Sequence, residues 1–235
     1  MTSTPITDKY DEILKTLDSV AADIHSSPAT LIAVSKTKPK EDVIELFKTH
    51  HHLLFGENYI QELHEKATSL QHEYPDIHWH FIGRLQSNKV HLLVSTPNLV
   101  CIETVHSLEI AQKLDKELKK AEKTIDVFIQ VNSSGEEQKG GVDVKDALTV
   151  YEEATKLTNL RVKGIMTIGM VGEAKTNFNT MKNLAAQIKE KLKLEKVEVS
   201  MGMSADYMLA AQLGATYVRV GSALFGPRNY NKNVV

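Results

Sequence analysis

The stretch Thr216-Tyr217-Val218-Arg219-Val220-Gly221-Ser222-Ala223-Leu224-Phe225-Gly226 (216–226) decides the fold. It is a short β-branched run that ends in glycine and serine, and it is the eighth such run in the chain. Working back toward the N-terminus, the others are Val197–Val199, Val162–Met166, Ile125–Val131, Leu99–Ile102, His78–Ile82, Leu53–Phe55 and Leu31–Ser35. Charged stretches with helical spacing separate them. Leu108, Ala111, Leu114 and Leu118 recur every three or four residues, and so do Leu148, Tyr151, Ala154 and Leu157. Asp8, Ser107 and Asp143 stand where helix N-caps belong. Eight βα units in 235 residues, with an extra N-terminal helix near Asp8–Ile24, match an α/β fold of the (β/α)8 TIM barrel type, which takes roughly 250 residues. An open doubly wound sheet shares the alternation but usually has fewer strands. Ser26-Ser27-Pro28 merely separates the first helix from the first strand. No linker divides the chain, so the expectation is one domain over residues 1–235.

Composition narrows the class. Hydrophobic residues make up 42% of the chain and charged residues 25%, as in folded globular proteins. Lys plus Arg is 28 and Asp plus Glu is 30, a net charge of −2, without the basic surplus of a general nucleic-acid binder. No apolar run approaches the roughly 18 residues of a membrane span. Met1 to Glu12 carries Asp8, Asp11 and Glu12 and no apolar signal core. The single cysteine, Cys101, excludes an internal disulfide and a multi-cysteine metal site. A cytoplasmic protein without membrane or nucleic-acid partners is expected.

Barrels place chemistry at the C-terminal ends of their strands. Alternation along Leu31-Ile32-Ala33-Val34-Ser35-Lys36 puts Ile32, Val34 and Lys36 on one face. If that face points inward, Lys36 stands at the mouth, where desolvation penalises its charge and frees the amine for Schiff-base chemistry. From position alone, a lysine beginning a solvated loop is the commoner outcome. Phe55-Gly56-Glu57-Asn58-Tyr59 closes the second strand, and Asn58 is either the N-cap of the next helix or a ligand contact. His78 and His80 share a strand face, but no carboxylate or cysteine partner is evident, which argues against a metal. His50-His51-His52 point in different directions from a helix end, where histidine is favoured anyway.

The last two βα units suggest a phosphate cup. Ser200-Met201-Gly202-Met203-Ser204-Ala205-Asp206 follows the seventh run, and Gly221-Ser222 follows the eighth. Many barrels hold phosphate there with free backbone N–H groups. Gly221 permits close approach, Ser204 offers a hydroxyl and Arg219 a fixed cation. Plain capping by Ser204, with Asp206 satisfying the helix dipole, is the alternative. A lysine facing such a cup suits pyridoxal 5′-phosphate, with an aldehyde for the lysine and a phosphate for the cup.

Seven blocks extend this reading: AVSKTKP (33–39), FGENYIQE (55–62), WHFIGRLQSNK (79–89), VNSSGEEQKGGV (131–142), IMTIG (165–169), SMGMSADY (200–207) and VRVGSALFG (218–226). Together they resemble the pyridoxal phosphate homeostasis (binding) protein family, whose barrel is similar to the N-terminal domain of alanine racemase. The resemblance implies that Lys36 forms the internal aldimine and that Ser204, Gly221 and Ser222 contact the phosphate. It also implies that Arg219 lies by the pyridine nitrogen, and that Asn58, His80, Ser200 and Met201 line the site. It further implies a role in pyridoxal phosphate and amino-acid homeostasis, with pyridoxal phosphate-dependent apoenzymes as partners and a monomeric state. The barrel blocks end at Gly226, leaving Pro227 to Val235, so the expectation is no racemase-type second domain and no robust turnover. A weakly active pyridoxal phosphate-dependent amino-acid racemase or lyase is the alternative.

Overall fold

The structure is a computed structural model that describes residues 5–136, 139–169 and 172–227. Glu137 and Gln138 of the VNSSGEEQKGGV block lie outside the described residues. The chain opens with α1 (Ile6–Asp23), β1 (Thr30–Val34), α2 (Lys40–His50), β2 (Leu54–Glu57), α3 (Ile60–Leu70) and β3 (His78–Phe81). There follow α4 (Val90–Val94), β4 (Leu99–Val105), α5 (Leu108–Lys120), β5 (Ile125–Asn132), β6 (Val142–Asp143) and α6 (Ala147–Thr155). The last third is β7 (Leu160–Met166), α7 (Ala174–Leu192), β8 (Glu198–Ser200), α8 (Tyr207–Gln212), β9 (Tyr217–Val220) and α9 (Ser222–Phe225).

All pairings are parallel. The order runs β4-β3-β2-β1-β9-β8-β7-β5, and β4 pairs with β5, so the sheet closes into an eight-stranded barrel. β6 is a short addition to the end of β5, through Val131↔Val142 and Asn132↔Asp143. Strand boundaries differ from the sequence reading by one to three residues, and two of the differences bear on the site. β4 runs on to Val105 instead of stopping at Ile102, because the charged Glu103 points into the barrel. β1 stops at Val34, which leaves Lys36 in the turn that follows.

Alternation sorts the strand side chains into two layers. Leu31, Ala33, Phe55, Trp79, Phe81, Ile102, Val127, Ile129, Val199, Val218 and Val220 pack outward against the helices in one large core. Cys101, Phe128 and Met166 form a separate apolar cluster inside the barrel. On the helices, Ala111, Leu114 and Leu118 of α5 and Tyr151 and Ala154 of α6 are buried, as their spacing requires. Ser107 caps α5, accepting from Ile110 N at 3.2 Å. Asp8 and Asp143 are not caps: α1 begins after Pro5, with Asp8 in its first turn, and Asp143 lies in β6, with Asp146 preceding α6. Among the described residues no helix is long and apolar enough to cross a membrane.

α1 packs against α2, α8 and α9, burying Tyr10, Ile13, Leu17 and Val20. A buried polar contact helps to fix it. His52 Nε2 lies 2.7 Å from the Leu54 carbonyl, which can only accept, so Nε2 carries the proton. Nδ1 of the neutral ring then accepts from the Tyr10 hydroxyl at 3.0 Å. Burial pushes the His52 pKa down from 6.5 to about 4, with the Leu54 hydrogen bond opposing and the charge of His50 adding to the fall. Between those two values the unfolded chain binds a proton that the folded chain refuses, so stability rises with pH across that window. Acidification from 6.5 toward 4 should therefore cost up to about 3 kcal/mol through this residue. Urea unfolding at pH 7.5 and pH 4.5 checks it: His52→Gln should lose less stability on acidification than the wild type, and equal losses would contradict the assignment.

Candidate functional site

The C-terminal ends of the strands enclose a cavity of about 430 Å³ lined by Lys36, Asn58, Ser204, Arg219, Gly221 and Ser222 among others. Ile82, Met166 and Ile168 supply apolar wall. Six of the nine residues expected at a site thus meet in one place. Their convergence follows from register: β1 and β9 pair through Ile32↔Arg219 and Ala33↔Val220, which sets the turn after β1 beside the turn after β9.

On the β8–β9 side, Ser204 does not cap its own helix; Asp206 precedes α8 and accepts from Met203 N at 2.7 Å. The Ser204 hydroxyl reaches across instead and accepts from the backbone N–H groups of Gly221 and Ala223, each at 3.1 Å. Two N–H groups and a hydroxyl, bonded to one another, thus cluster at one point, and they are the donor set an anion cradle needs. A Cβ on Gly221 would press on the Val34 carbonyl at 3.2 Å, so glycine lets the cradle sit tight against β1. On the opposite wall, Asn58 is not an N-cap: α3 is preceded by Tyr59 without a side-chain cap. Among the described residues the buried Asn58 Oδ1 has no hydrogen-bond partner, which leaves an acceptor at the cavity. Gly83 lies so close behind it that a Cβ would come within 1.8 Å of the Asn58 carbonyl oxygen. Asn58 also borders a second depression, with Tyr59, Arg84 and Lys89, but buried polar groups converge only in the first.

Beneath the cavity runs a charged network that crosses the barrel. Arg219 is 3% exposed. Its guanidinium donates to Ser200 Oγ and to the Thr167 carbonyl, both at 2.7 Å. Ser200 in turn donates to Glu103 Oε2 at 2.6 Å, and Glu103 Oε2 lies 3.8 Å from Arg219 Nη1. The other Glu103 oxygen is 2.8 Å from His80 Nδ1. Burial pushes the Glu103 carboxyl up, yet the hydrogen bond and charge of His80, the charge of Arg219 and the Ser200 hydroxyl together bring it below the usual range. An ionised carboxylate only accepts, so His80 Nδ1 carries a proton. Burial pushes the Arg219 guanidinium down from its usual value, against the opposing charges of Glu103 and Asp206.

His80 and Ser200 therefore lie in this network below the cavity rather than on its wall. Met201 is fully buried in the outer core, with its backbone N–H on the Tyr217 carbonyl. Glu103 was missed in the sequence, although it stands two positions after the inward-facing Cys101 on an alternating strand, which is a usable signal. Contrary to the sequence reading, His80 does have a cysteine and a carboxylate nearby: ligand atoms of His80, Cys101 and Glu103 lie within 4.8 Å of one another. Both Glu103 oxygens are already engaged, and the neighbouring guanidinium repels a second cation, which disfavours a metal there.

The comparisons agree with this architecture. Residues 10–229 match the family model described as alanine racemase, N-terminal domain. A Caenorhabditis elegans pyridoxal phosphate homeostasis protein is 41% identical over 231 residues, covering 91% of this chain and 93% of that protein. The Homo sapiens pyridoxal phosphate homeostasis protein is 40% identical over 222 residues, covering 89% of this chain and 80% of that protein. The structure of PipY from Synechococcus elongatus with PLP bound superimposes with a TM-score of 0.78 at 31% identity, over 90% of this chain and 100% of that one.

The internal network makes a stability prediction. Glu103→Leu would leave the Arg219 guanidinium buried without its counter-charge, at a cost of about 3–5 kcal/mol. Glu103→Gln keeps an acceptor and should cost less. Denaturant midpoints check this, and a Leu variant as stable as the wild type would contradict it.

Proposed function

The chain belongs to the alanine racemase N-terminal domain family, among the pyridoxal phosphate homeostasis proteins, and from that membership we infer that it binds pyridoxal 5′-phosphate at the mouth of its barrel and serves the cell's handling of that cofactor. The observation that carries the reading is the pairing, in one cavity, of a lysine with a cradle of two backbone N–H groups and a hydroxyl. The cavity also fits the group in its details: an unpartnered acceptor at Asn58 and apolar wall from Ile82, Met166 and Ile168.

When bound, the cofactor supplies an aldehyde that condenses reversibly with primary amines. Lys36 offers such an amine. Ser204, Ser222 and the N–H groups of Gly221 and Ala223 bind the phosphate dianion, and charge-assisted bonds of this kind are roughly twice as strong as neutral ones. Ile82, Met166 and Ile168 exclude water from the faces of a ring. Arg219, which the family resemblance sets beside the pyridine nitrogen, would disfavour a proton there and so weaken the ring as an electron sink. Lys36 is only half-buried, and Ser222 and Met203 on the cavity rim are exposed, so an incoming amine can reach the attachment point. Handing the cofactor on to apoenzymes is the role this openness supports.

Borohydride reduction of the loaded protein followed by peptide mapping should label Lys36, and Lys36→Ala should lose the label; a label on Lys38, Lys40 or Lys89 would overturn the assignment. The cradle has its own test. Ser204→Ala should weaken pyridoxal 5′-phosphate binding roughly 10-fold or more while barely changing the binding of pyridoxal. Equal losses for both ligands, measured by fluorescence titration, would contradict a phosphate cradle.

A further inference from the structure

A second buried ionic cluster lies on the other side of the strand ends, away from the cavity. Gly56 faces the barrel interior, so Glu57 turns outward, beneath α3, and is fully buried. Lys66 of α3 is 8% exposed. Its ammonium donates to Glu57 Oε1 at 2.7 Å, to Glu62 Oε1 at 2.7 Å and to the Ser35 carbonyl at 2.8 Å. Those three bonds use all three of its protons. The Ser35 hydroxyl donates to Glu57 Oε1 at 2.7 Å, and the Thr37 backbone N–H donates to Glu62 Oε1 at 2.7 Å.

Ser35 and Thr37 are the two residues that flank Lys36. The ammonium and Glu62 therefore end on the backbone on either side of it, and Glu57 holds the Ser35 side chain. That backbone needs holding: Thr37 has φ +60°, a left-handed conformation that a β-branched residue adopts only when its surroundings impose it. Its own hydroxyl is buried without a partner among the described residues. Burial pushes the Glu57 carboxyl up to about 7, with the charge of Lys66 opposing the rise and that of Glu62 adding to it, so without the ammonium the carboxylate would be harder still to keep. Buried ion clusters are poor stabilisers compared with apolar packing and are better suited to fixing a geometry.

We propose that Lys66, with Glu57 and Glu62, is a positioning cluster that holds the Ser35–Thr37 backbone in its strained turn and so keeps the Lys36 amine in place for the cofactor's aldehyde. The proposal rests on Lys36 being the attachment residue and deepens that reading. Attachment joins the lysine nitrogen to the aldehyde carbon and releases the aldehyde oxygen as water, and the cluster touches none of these atoms. It acts only through the turn.

The experiment compares the full-length wild type with Lys66→Met, Glu62→Ala and the double variant Lys66→Met/Thr37→Gly. Two quantities are measured on each: the fraction of protein labelled at Lys36 after borohydride reduction with pyridoxal 5′-phosphate, and the affinity for pyridoxamine 5′-phosphate. The second ligand has no aldehyde and reports the rest of the cavity. Labelling should fall roughly 10-fold in Lys66→Met, the equilibrium equivalent of one residue's left-handed strain, while pyridoxamine phosphate binding is retained. Thr37→Gly should restore much of the labelling, since glycine takes the left-handed turn without strain. If Lys66→Met fails to fold, Glu62→Ala at the rim of the cluster carries the same comparison. Unchanged labelling in the variants, or a parallel loss of both ligands, would overturn the positioning role alone. A wild type labelled somewhere other than Lys36 would overturn the role and the reading beneath it together.

Discussion

Pairing of β1 with β9 is the constraint on which the rest of the molecule depends. Four consecutive residue pairs, from Thr30↔Tyr217 to Ala33↔Val220, join the first strand to the last, and with the β4–β5 pairing they turn a row of strands into a barrel. Closure abolishes the sheet edges, and it also brings together residues from opposite ends of the chain. Lys36, after β1, faces the Gly221 turn, after β9, only because that seam is shut. Side chains with no neighbouring strand in common then meet inside: Ser200 of β8 reaches Glu103 of β4 across the lumen.

Two buried charge networks support the cavity, and they work differently. Inside the barrel, Glu103 balances Arg219, and Ser200 and His80 satisfy the remaining carboxylate positions, so a guanidinium survives in a low-dielectric interior. Outside it, Lys66 and its carboxylates act on the backbone. One network fixes a charge beneath the cavity, and the other fixes the turn that carries Lys36. In the inner network both carboxylate oxygens of Glu103 are bonded, the condition under which such networks rigidify a structure, whereas in the outer one Glu57 Oε2 has no partner among the described residues.

The sequence made some of this legible and hid the rest for identifiable reasons. Barrel topology was readable because short apolar runs, most of them rich in Val, Ile and Leu, alternate with charged stretches that repeat apolar residues at helical spacing. Lys36, Ser204 and Gly221 were readable because chemistry concentrates at strand ends and glycine and serine are unusual there. Glu103 was not, since its partners lie far away in sequence and its charge read as the end of a strand. Met201 sits within a site block yet packs into the core, because alternation after Ser200 turns it outward. Nothing in the spacing of Lys66 or Glu57 marks either as buried; only the packing of α3 over β2 shows that they are buried together. β6 escaped because two residues leave no periodicity to detect.

The account's central claim is that the turn after β1 and the cradle at β8–β9 hold one ligand between them. A crystal structure of the protein with pyridoxal 5′-phosphate tests it most directly. The account predicts phosphate oxygens on the N–H groups of Gly221 and Ala223 and on Ser204, continuous density from Lys36 to the cofactor, and Thr37 still left-handed. Cofactor density attached to another lysine, or phosphate bound away from that cradle, would contradict it.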